Sequence, residues 1–243
     1  MSAARRADQA LVERGIFDSR ARAQSAIKAG LVRLNGVTLT KAAVLVPQGA
    51  ALEATPEHPF VSRGALKLVA ALDHFKLDPK SLMCLDIGAS TGGFSEVLLA
   101  RGAVHVVAVD VGHGQLHPSL QSHPRLTLLE GRDARSLTPD ELHFAPKLIT
   151  MDVSFISATK ILDAVLKLAA PGASLIVLVK PQFEVGRAFV GKGVVRDAGA
   201  RQRACDDVAS FVTGLGWRVA GLIPSPLFGG TGNAEYLLAA MGP

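Results

Sequence analysis

The chain has 243 residues, of which 49% are apolar, and a net charge of +5. This length is enough for one large α/β domain with a small companion. We find no run of about 18 apolar residues, and no apolar segment follows the charged N-terminus. The sequence therefore predicts neither a membrane span nor a secretory signal, and a cytoplasmic location is expected. The two cysteines, Cys84 and Cys205, form no CxxC pair and are expected to be reduced.

The first 53 residues hold most of the net positive charge. They contain eight Lys and Arg against four Asp and Glu, a net charge of +4. A basic module next to a nearly neutral body favours a polyanionic partner such as nucleic acid. We predict domains over 1–55 and 63–243. They are joined by a linker over 56–62, in which Pro56 and Pro59 oppose helix formation.

The N-terminal domain is predicted to contain two short helices followed by a small β unit. Apolar spacing indicates both helices within residues 8–29, and Asp18 or Ser19 is suited to cap the second. The pair Asn35-Gly36 lies between two short apolar runs. This dipeptide is typical of a two-residue β-hairpin turn.

From residue 63 strands and helices alternate, which is typical of a doubly wound, mostly parallel sheet. The last two predicted strands have no helix between them, so we expect the last one to run antiparallel. The fold class is therefore α/β, a Rossmann-like sheet with a small α+β domain at the N-terminus. The predicted strands lie near residues 82–87, 104–109, 126–130, 147–152, 174–180, 217–223 and 234–240.

The segment CLDIGASTGGFSEVLLA (84–100) places a glycine-rich turn between a strand and a helix. Such a turn lets a ligand approach the backbone closely. Asp86 ends the strand before the turn, Asp110 ends the next strand, and Asp133 follows the third. We predict that Asp110 meets ribose hydroxyls and that Asp133 meets an adenine amino group. The predicted cofactor-binding residues are Asp86, Gly88, Ala89, Ser90, Thr91, Gly92, Gly93, Phe94, Asp110 and Asp133.

Two cofactors compete for this turn. A dinucleotide would favour the pattern GxGxxG, whereas this turn reads GASTGG and lacks the second glycine of the motif. Asp86 would repel a pyrophosphate but suits a cationic amine. S-adenosylmethionine has an amine and a sulfonium and no phosphate, so the residues favour it.

Asp152 and Lys180 each close an apolar strand, in LITMDVSF and LIVLVKPQFE. A lysine after such a strand is costly to bury without a partner, so we expect a carboxylate beside it. Either residue alone is more typical of a structural, solvated strand end than of a catalytic site. Together, beside a cofactor turn, they indicate a functional site. Lys67 in SRGALKL and Glu235 in NAEYLL are further candidates.

Five segments resemble the signature segments of FtsJ-type ribose 2′-O-methyltransferases: SRGALKL, DIGASTGGFS, MDVSFIS, LVKPQFE and NAEYLL. The stretch RADQALVERGIFDSRARAQSAIKAGLVRLNG resembles the S4 RNA-binding fold. The combination is similar to the TlyA group, also called hemolysin A, which methylates ribosomal RNA. This resemblance covers nearly the whole chain. It implies a catalytic set of Lys67, Asp152, Lys180 and Glu235, with ribosomal RNA or ribosomal subunits as the partner and cytidine as the methylated nucleotide.

A ribose 2′-hydroxyl is a poor nucleophile, so the protein must position it and assist proton loss. Lys180 is the candidate for the general base or for the group that stabilises the alkoxide. Asp152 would orient its amine, and Lys67 and Glu235 would align the ribose. The scarcity of aromatics in the basic module predicts that it reads RNA shape and phosphate. Its candidate phosphate contacts are Arg5, Arg6, Arg20, Arg22, Lys28 and Arg33.

Three other interpretations compete with this one. An NAD-dependent oxidoreductase lacks support, because the motif glycine is missing and Tyr236 has Ala240 where a Tyr-x-x-x-Lys pair needs lysine. An RNA-binding protein with an inactive methyltransferase domain is disfavoured by the four retained residue types. A membrane-active hemolysin is disfavoured by the missing signal and span. We expect no metal site, because Gly114 interrupts the helix that His113 and His117 would need.

Overall fold

The computed structural model describes residues 4–17, 19–55 and 58–243. The chain divides into two compact units, Met1–Pro59 and Phe60–Pro243. The second unit begins inside the linker predicted at 56–62, of which residues 56 and 57 lie outside the described residues. The predicted helix cap Asp18 also lies outside them.

The first unit combines two helices with short strands. The second helix begins at Arg20, directly after the expected cap residue Ser19. The Ser19 hydroxyl caps it by accepting a hydrogen bond from the backbone N–H of Arg22 at 3.4 Å. The elements are α1 (Ala7–Glu13), α2 (Arg20–Lys28), β1 (Arg5–Arg6), β2 (Val32–Leu34), β3 (Val37–Thr38), β4 (Leu45–Val46) and β5 (Leu52–Ala54).

The predicted hairpin joins β2 to β3. Asn35 and Gly36 both have positive φ angles, +49° and +80°, which is the geometry of a two-residue turn between antiparallel strands. Strand β2 also pairs with β5, and β1 pairs with β4, both antiparallel. Strand β1 was not predicted, because two residues show no periodicity. Leu11 and Ile27, one from each helix, lie in the core of this unit.

The second unit is built on seven strands. The strands are β6 (Met83–Ile87), β7 (His105–Asp110), β8 (Leu126–Glu130), β9 (Leu148–Met151), β10 (Ser174–Val179), β11 (Arg218–Pro224) and β12 (Tyr236–Met241). The helices are α3 (Ala65–Phe75), α4 (Gly93–Ala100), α5 (Pro118–Gln121), α6 (Pro139–Leu142), α7 (Thr159–Leu166), α8 (Pro181–Glu184) and α9 (Ala198–Gly214). Sequence periodicity did not reveal α5, α6 and α8, which have four residues each.

The strand order is β11-β12-β10-β9-β6-β7-β8. Strands β6 to β10 pair in parallel with one another, whereas β12 is antiparallel to both β10 and β11. The expectation of a mostly parallel sheet with an antiparallel last strand is confirmed. From β6 the chain runs outward through β7 and β8 and then returns to β9 on the other side. Ligands of open α/β sheets bind at the carboxyl ends of strands where the order reverses in this way.

Helices cover both faces of this sheet. Helices α3 and α4 pack with Cys84 on one face, and α7 and α9 pack with Leu85 on the other. Neighbouring residues of one strand therefore pack into the hydrophobic cores on opposite faces of the sheet, as the two-residue period of a strand requires. All six residues of β10 are buried, which explains its uninterrupted apolar sequence. Polar side chains that follow these strands are consequently held at the edge of a rigid sheet.

Candidate active site

The glycine turn lies directly against the end of β9. The backbone N–H of Asp152 donates to the carbonyl of Ile87 at 2.9 Å, so Gly88 and Asp152 are neighbours. Gly88 has a φ of +82°, and a Cβ there would overlap the backbone carbonyl of Asp152. A Cβ on Gly93 would overlap the hydroxyl of Ser62. The glycines therefore allow the turn to pack closely between two segments of the chain.

A cavity of about 560 Å³ opens at this edge of the sheet. This volume is in the range of cavities that hold small molecules and cofactors. Of the predicted cofactor-binding residues, Gly88, Ser90, Asp110 and Asp133 contribute to its lining. The lining comes from the loops that follow β6, β7, β8 and β9, so the cavity lies at the carboxyl edge where the strand order reverses.

Asp110 holds the loops at the rim of this cavity. Its two carboxylate oxygens each accept a backbone N–H at 2.7 Å, one from Ser90 and the other from Gly112. A carboxylate offers about four lone-pair sites. Asp110 can thus keep both loops in place and still accept hydrogen bonds from hydroxyl groups of a ligand.

Asp133 lines the same cavity and is paired with an arginine. Its oxygens accept from Nε of Arg135 at 3.0 Å and from a terminal guanidinium nitrogen at 2.6 Å. The hydrogen bonds from Arg135 lower the pKa of the Asp133 carboxyl to about 2. Asp133 is therefore an ionised acceptor with a fixed orientation at neutral pH.

Asp86 lies beneath the turn and lines neither this cavity nor the smaller one next to it. Asp86 is 1% exposed, and its carboxylate oxygens accept hydrogen bonds from the hydroxyls of Ser95 at 2.6 Å and Thr150 at 2.9 Å. Burial raises the pKa of the Asp86 carboxyl to about 6. The structure thus places Asp86 where it supports the turn from below. The other two acids of the predicted trio face the cavity.

A smaller cavity of about 190 Å³ adjoins the larger one. The two share Gly88, Ser90, Asp152 and Ser154 in their linings, and Lys180 lines only the smaller one. The smaller cavity also contains the remaining turn residues that were predicted to bind cofactor, apart from Gly92. A Cβ on Gly92 would crowd Leu116 and Leu120. The smaller cavity is lined further by Ser62, Gly64, Ala89, Thr91, Gly93 and Phe94.

Lys180 is the charged group at the end of the smaller cavity. Its Nζ lies 2.6 Å from Oδ1 of Asp152 as an ion pair, and its hydrogen bond is directed at the Ser154 hydroxyl at 2.8 Å. The Lys180 side chain is 11% exposed and that of Asp152 22%. The carboxylate that the sequence required beside this lysine is therefore Asp152.

Lys67 and Glu235 form a second, more deeply buried pair. Nζ of Lys67 lies 2.5 Å from Oε2 of Glu235, and the side chains are 11% and 3% exposed. Strand pairing joins this pair to the first. Val179 pairs with Tyr236 across β10 and β12, so Lys180 and Glu235 are the next residues along the two neighbouring strands. The structure thus brings together all four residues of the predicted catalytic set.

In the first unit, Arg6 and Arg20 meet on one carboxylate. Asp8 is fully buried and accepts from Nε of Arg6 at 3.1 Å, from Arg20 at 3.0 Å and from Gln24 at 2.7 Å. The hydrogen bond from Arg6 is the main reason that the pKa of Asp8 lies well below its usual value. Of the other predicted phosphate contacts, Arg5 lies 3.6 Å from Glu13. Lys28 and Arg33 are exposed, and Arg22 is half-buried.

Sequence reasoning missed several residues that line the two cavities. Ser154 and Phe155 lie in the segment MDVSFIS, of which only Asp152 was singled out. Phe155 is 91% exposed and has a φ of +67°, which an aromatic residue rarely adopts. Gln115 and Arg132 lie on loops after β7 and β8. A hydroxyl directly after a strand that ends in a carboxylate was the one signal that could have indicated Ser154.

The described ranges also bear on the expectations for a metal site and for a membrane span. Among residues 4–17, 19–55 and 58–243, no group of three or more His, Cys, Asp and Glu side chains could hold a metal ion. Within the same ranges, no helix is both long enough and apolar enough to cross a membrane.

The sheet order, the glycine turn and the adjoining cavities define this protein as a methyltransferase of Rossmann-like fold. The family profile of the FtsJ-like methyltransferases matches residues 60–241, and that of the S4 domain matches residues 5–52. The chain belongs to the FtsJ-like methyltransferase family and carries an S4 domain at its N-terminus.

Several relatives align with nearly the whole chain. The Mycobacterium tuberculosis protein named 16S/23S rRNA (cytidine-2′-O)-methyltransferase TlyA is 48% identical over 236 residues, which cover 96% of this chain and 88% of that protein. The structure of a Streptococcus thermophilus protein described as a candidate hemolysin matches all of this chain and 90% of its own, with a TM-score of 0.79 and 37% identity.

A more distant structure shows the fold alone. The magnesium protoporphyrin IX methyltransferase of Synechocystis with bound SAM has a TM-score of 0.53 at 13% identity, covering 74% of this chain and 80% of that one.

Proposed function

We propose that this protein transfers a methyl group from S-adenosylmethionine to the ribose 2′-hydroxyl of a cytidine in ribosomal RNA, in the cytoplasm. The observation that carries this proposal is the placement of Lys180. Its amine lies in a small cavity that adjoins the cofactor-sized one, held by Asp152 and Ser154. The names of the relatives supply the nucleotide and the RNA.

The larger cavity fits S-adenosylmethionine better than a dinucleotide. Both arginines of its lining are already engaged, Arg135 with Asp133 and Arg132 with Glu141. Neither arginine is therefore free to pair with the diphosphate of a dinucleotide. Asp110 can accept from ribose hydroxyls, and Gly88 is part of the cavity lining. When bound, S-adenosylmethionine supplies a strongly electrophilic methyl group.

The residues of the protein then have to activate a poor nucleophile. The amine of Lys180 either takes the hydroxyl proton or stabilises the negative charge that develops on the ribose oxygen. Asp152 orients this amine. Glu235 directly precedes the neighbouring strand β12, and its pair with Lys67 of α3 helps to position the sugar. Two lysines and two carboxylates leave the site close to neutral, which limits the cost of burying the four charges.

The S4 domain supplies affinity for RNA. Arg6 and Arg20 are held together on Asp8, so two guanidinium groups are presented at one place of this unit. Their side chains are 43% and 54% exposed, so the N–H groups that are not used on Asp8 can meet phosphate. We therefore expect this pair to contact the RNA backbone, together with exposed Lys28 and Arg33.

The test is mass mapping of ribose methylation in ribosomal RNA from cells with and without this protein. We expect one or more 2′-O-methylcytidines to disappear with the protein and to return with the wild-type chain. The variant Lys180→Ala should not restore them, although it should still bind S-adenosylmethionine in calorimetry. An unchanged methylation map in the deleted strain would refute the proposal, and so would restoration by the alanine variant.

A further inference from the structure

We propose that Ser154 is a positioning residue of the methyl transfer. Its hydroxyl, together with Asp152, fixes the direction in which Nζ of Lys180 meets the ribose oxygen. This inference rests on the proposed function, because it assigns a further role at the same site.

The argument begins with the hydrogen-bonding capacity of the lysine. An ammonium group has three N–H donors. In this structure one donates to the Ser154 hydroxyl at 2.8 Å, and Oδ1 of Asp152 lies 2.6 Å away as an ion pair that is not aligned as a hydrogen bond. The directed hydrogen bond to Ser154 sets the rotation about the Cε–Nζ bond, and the ion pair lies at a second side of Nζ, so one tetrahedral direction remains. Since Lys180 lines the smaller cavity, this remaining direction is available to an atom that enters that cavity.

The same direction serves both chemical roles of Lys180. In the charged form, the third N–H points to the substrate oxygen and stabilises its developing negative charge. In the neutral form, Ser154 accepts one N–H bond, the second N–H lies toward Asp152, and the lone pair points to the substrate hydroxyl. With only the ion pair to Asp152, the amine could rotate about its Cε–Nζ bond. Neither the lone pair nor the third N–H would then point in a fixed direction.

The position of Ser154 in the fold supports this role. It lies two residues beyond Asp152 in the segment between β9 and α7, so both side chains that contact Lys180 come from one loop. Ser154 is also part of the lining of both cavities. The hydroxyl therefore stands at the wall where the donor and acceptor of the methyl group have to meet. The more deeply buried Lys67 and Glu235 line neither cavity, so this wall is left to Ser154 and Asp152.

The experiment compares Ser154→Ala, Ser154→Thr and the control Ser210→Ala on ribosomal RNA substrate. Ser210 lies on α9, is exposed and lines none of these cavities. We expect Ser154→Ala to lower kcat about tenfold or more, the effect of losing one hydrogen bond to a charged group. The KM for RNA and the dissociation constant for S-adenosylmethionine should stay within twofold of wild type. The threonine variant keeps the hydroxyl and should regain most of kcat, and the control should equal wild type.

Three results would overturn the inference. These are an alanine variant with wild-type kcat, a loss expressed mainly in KM or in cofactor affinity, and a threonine variant as slow as the alanine variant. Each requires that the wild-type enzyme is active on ribose. If the wild type transferred no methyl group to a 2′-oxygen, the proposed function itself would fail. That outcome is distinguished by measuring wild-type activity first.

Discussion

The buried pair of Lys67 and Glu235 offers a test that separates folding from catalysis. The variants are Lys67→Met, Glu235→Met and the double variant, which replace charged side chains by apolar ones of similar length. With exposures of 11% and 3%, each single substitution leaves a nearly buried charge without its counter-ion. Breaking a buried pair in this way costs about 3–5 kcal/mol.

In a unit of this size, 1 kcal/mol shifts Tm by about 2–4 °C, so each single variant should melt about 6–20 °C below wild type. Lys67→Met should be the worse of the two, because it leaves the carboxylate that is 3% exposed. The double variant buries no unpaired charge. It should be close to wild type in stability, since well-packed apolar pairs replace buried ion pairs at little or no cost. Because the coupling energy is the double variant's loss minus both single losses, it should be about 6–10 kcal/mol in magnitude.

Calorimetry of the four proteins completes the double-mutant cycle, and methyl transfer to ribosomal RNA is measured on the same preparations. We expect all three variants to be inactive, including the stable double variant. Additive stability losses in the double variant would show that the two charges do not compensate each other. A stable double variant with wild-type turnover would refute the positioning role given to the pair.

Two further predictions concern Asp86 and the basic surface. The folded pKa of Asp86, about 6, is above its ordinary value of 3.8, so the native state holds this proton more tightly and its stability falls as pH rises from about 4 to 6. Asp86→Asn should remove this loss and raise Tm relative to wild type by an amount that grows over that interval and is then constant. A Tm difference that does not change with pH would contradict this reasoning. Arg20→Gln should reduce the slope of log K against log salt for RNA binding by about 1, measured by fluorescence anisotropy. Arg101→Gln, on the methyltransferase unit and paired with Asp73, should leave that slope unchanged, and equal slopes for both variants would argue against Arg20 as a phosphate contact.

The sequence by itself determined the architecture and the chemistry of the strand ends. Alternating strands and helices predicted the parallel sheet, and the missing helix before the last strand predicted that β12 runs antiparallel. The turn GASTGG and the residues Asp110, Asp152 and Lys180 were recognisable because each directly follows an apolar strand. The carboxyl ends of parallel strands lie at one edge, so order along the chain was enough to place these residues together.

Only the tertiary structure decided which charges pair. Lys67 lies on α3, 168 residues before Glu235, and no local pattern links them. In the structure Asp86 lines neither cavity and its side chain contacts Ser95 and Thr150. A strand alternates its side chains between two faces, and the sequence does not say which face meets the ligand. Ser154 was overlooked for a related reason. Hydrogen bonds act over about 3 Å, and distances of that size are set by how strands and loops pack against one another.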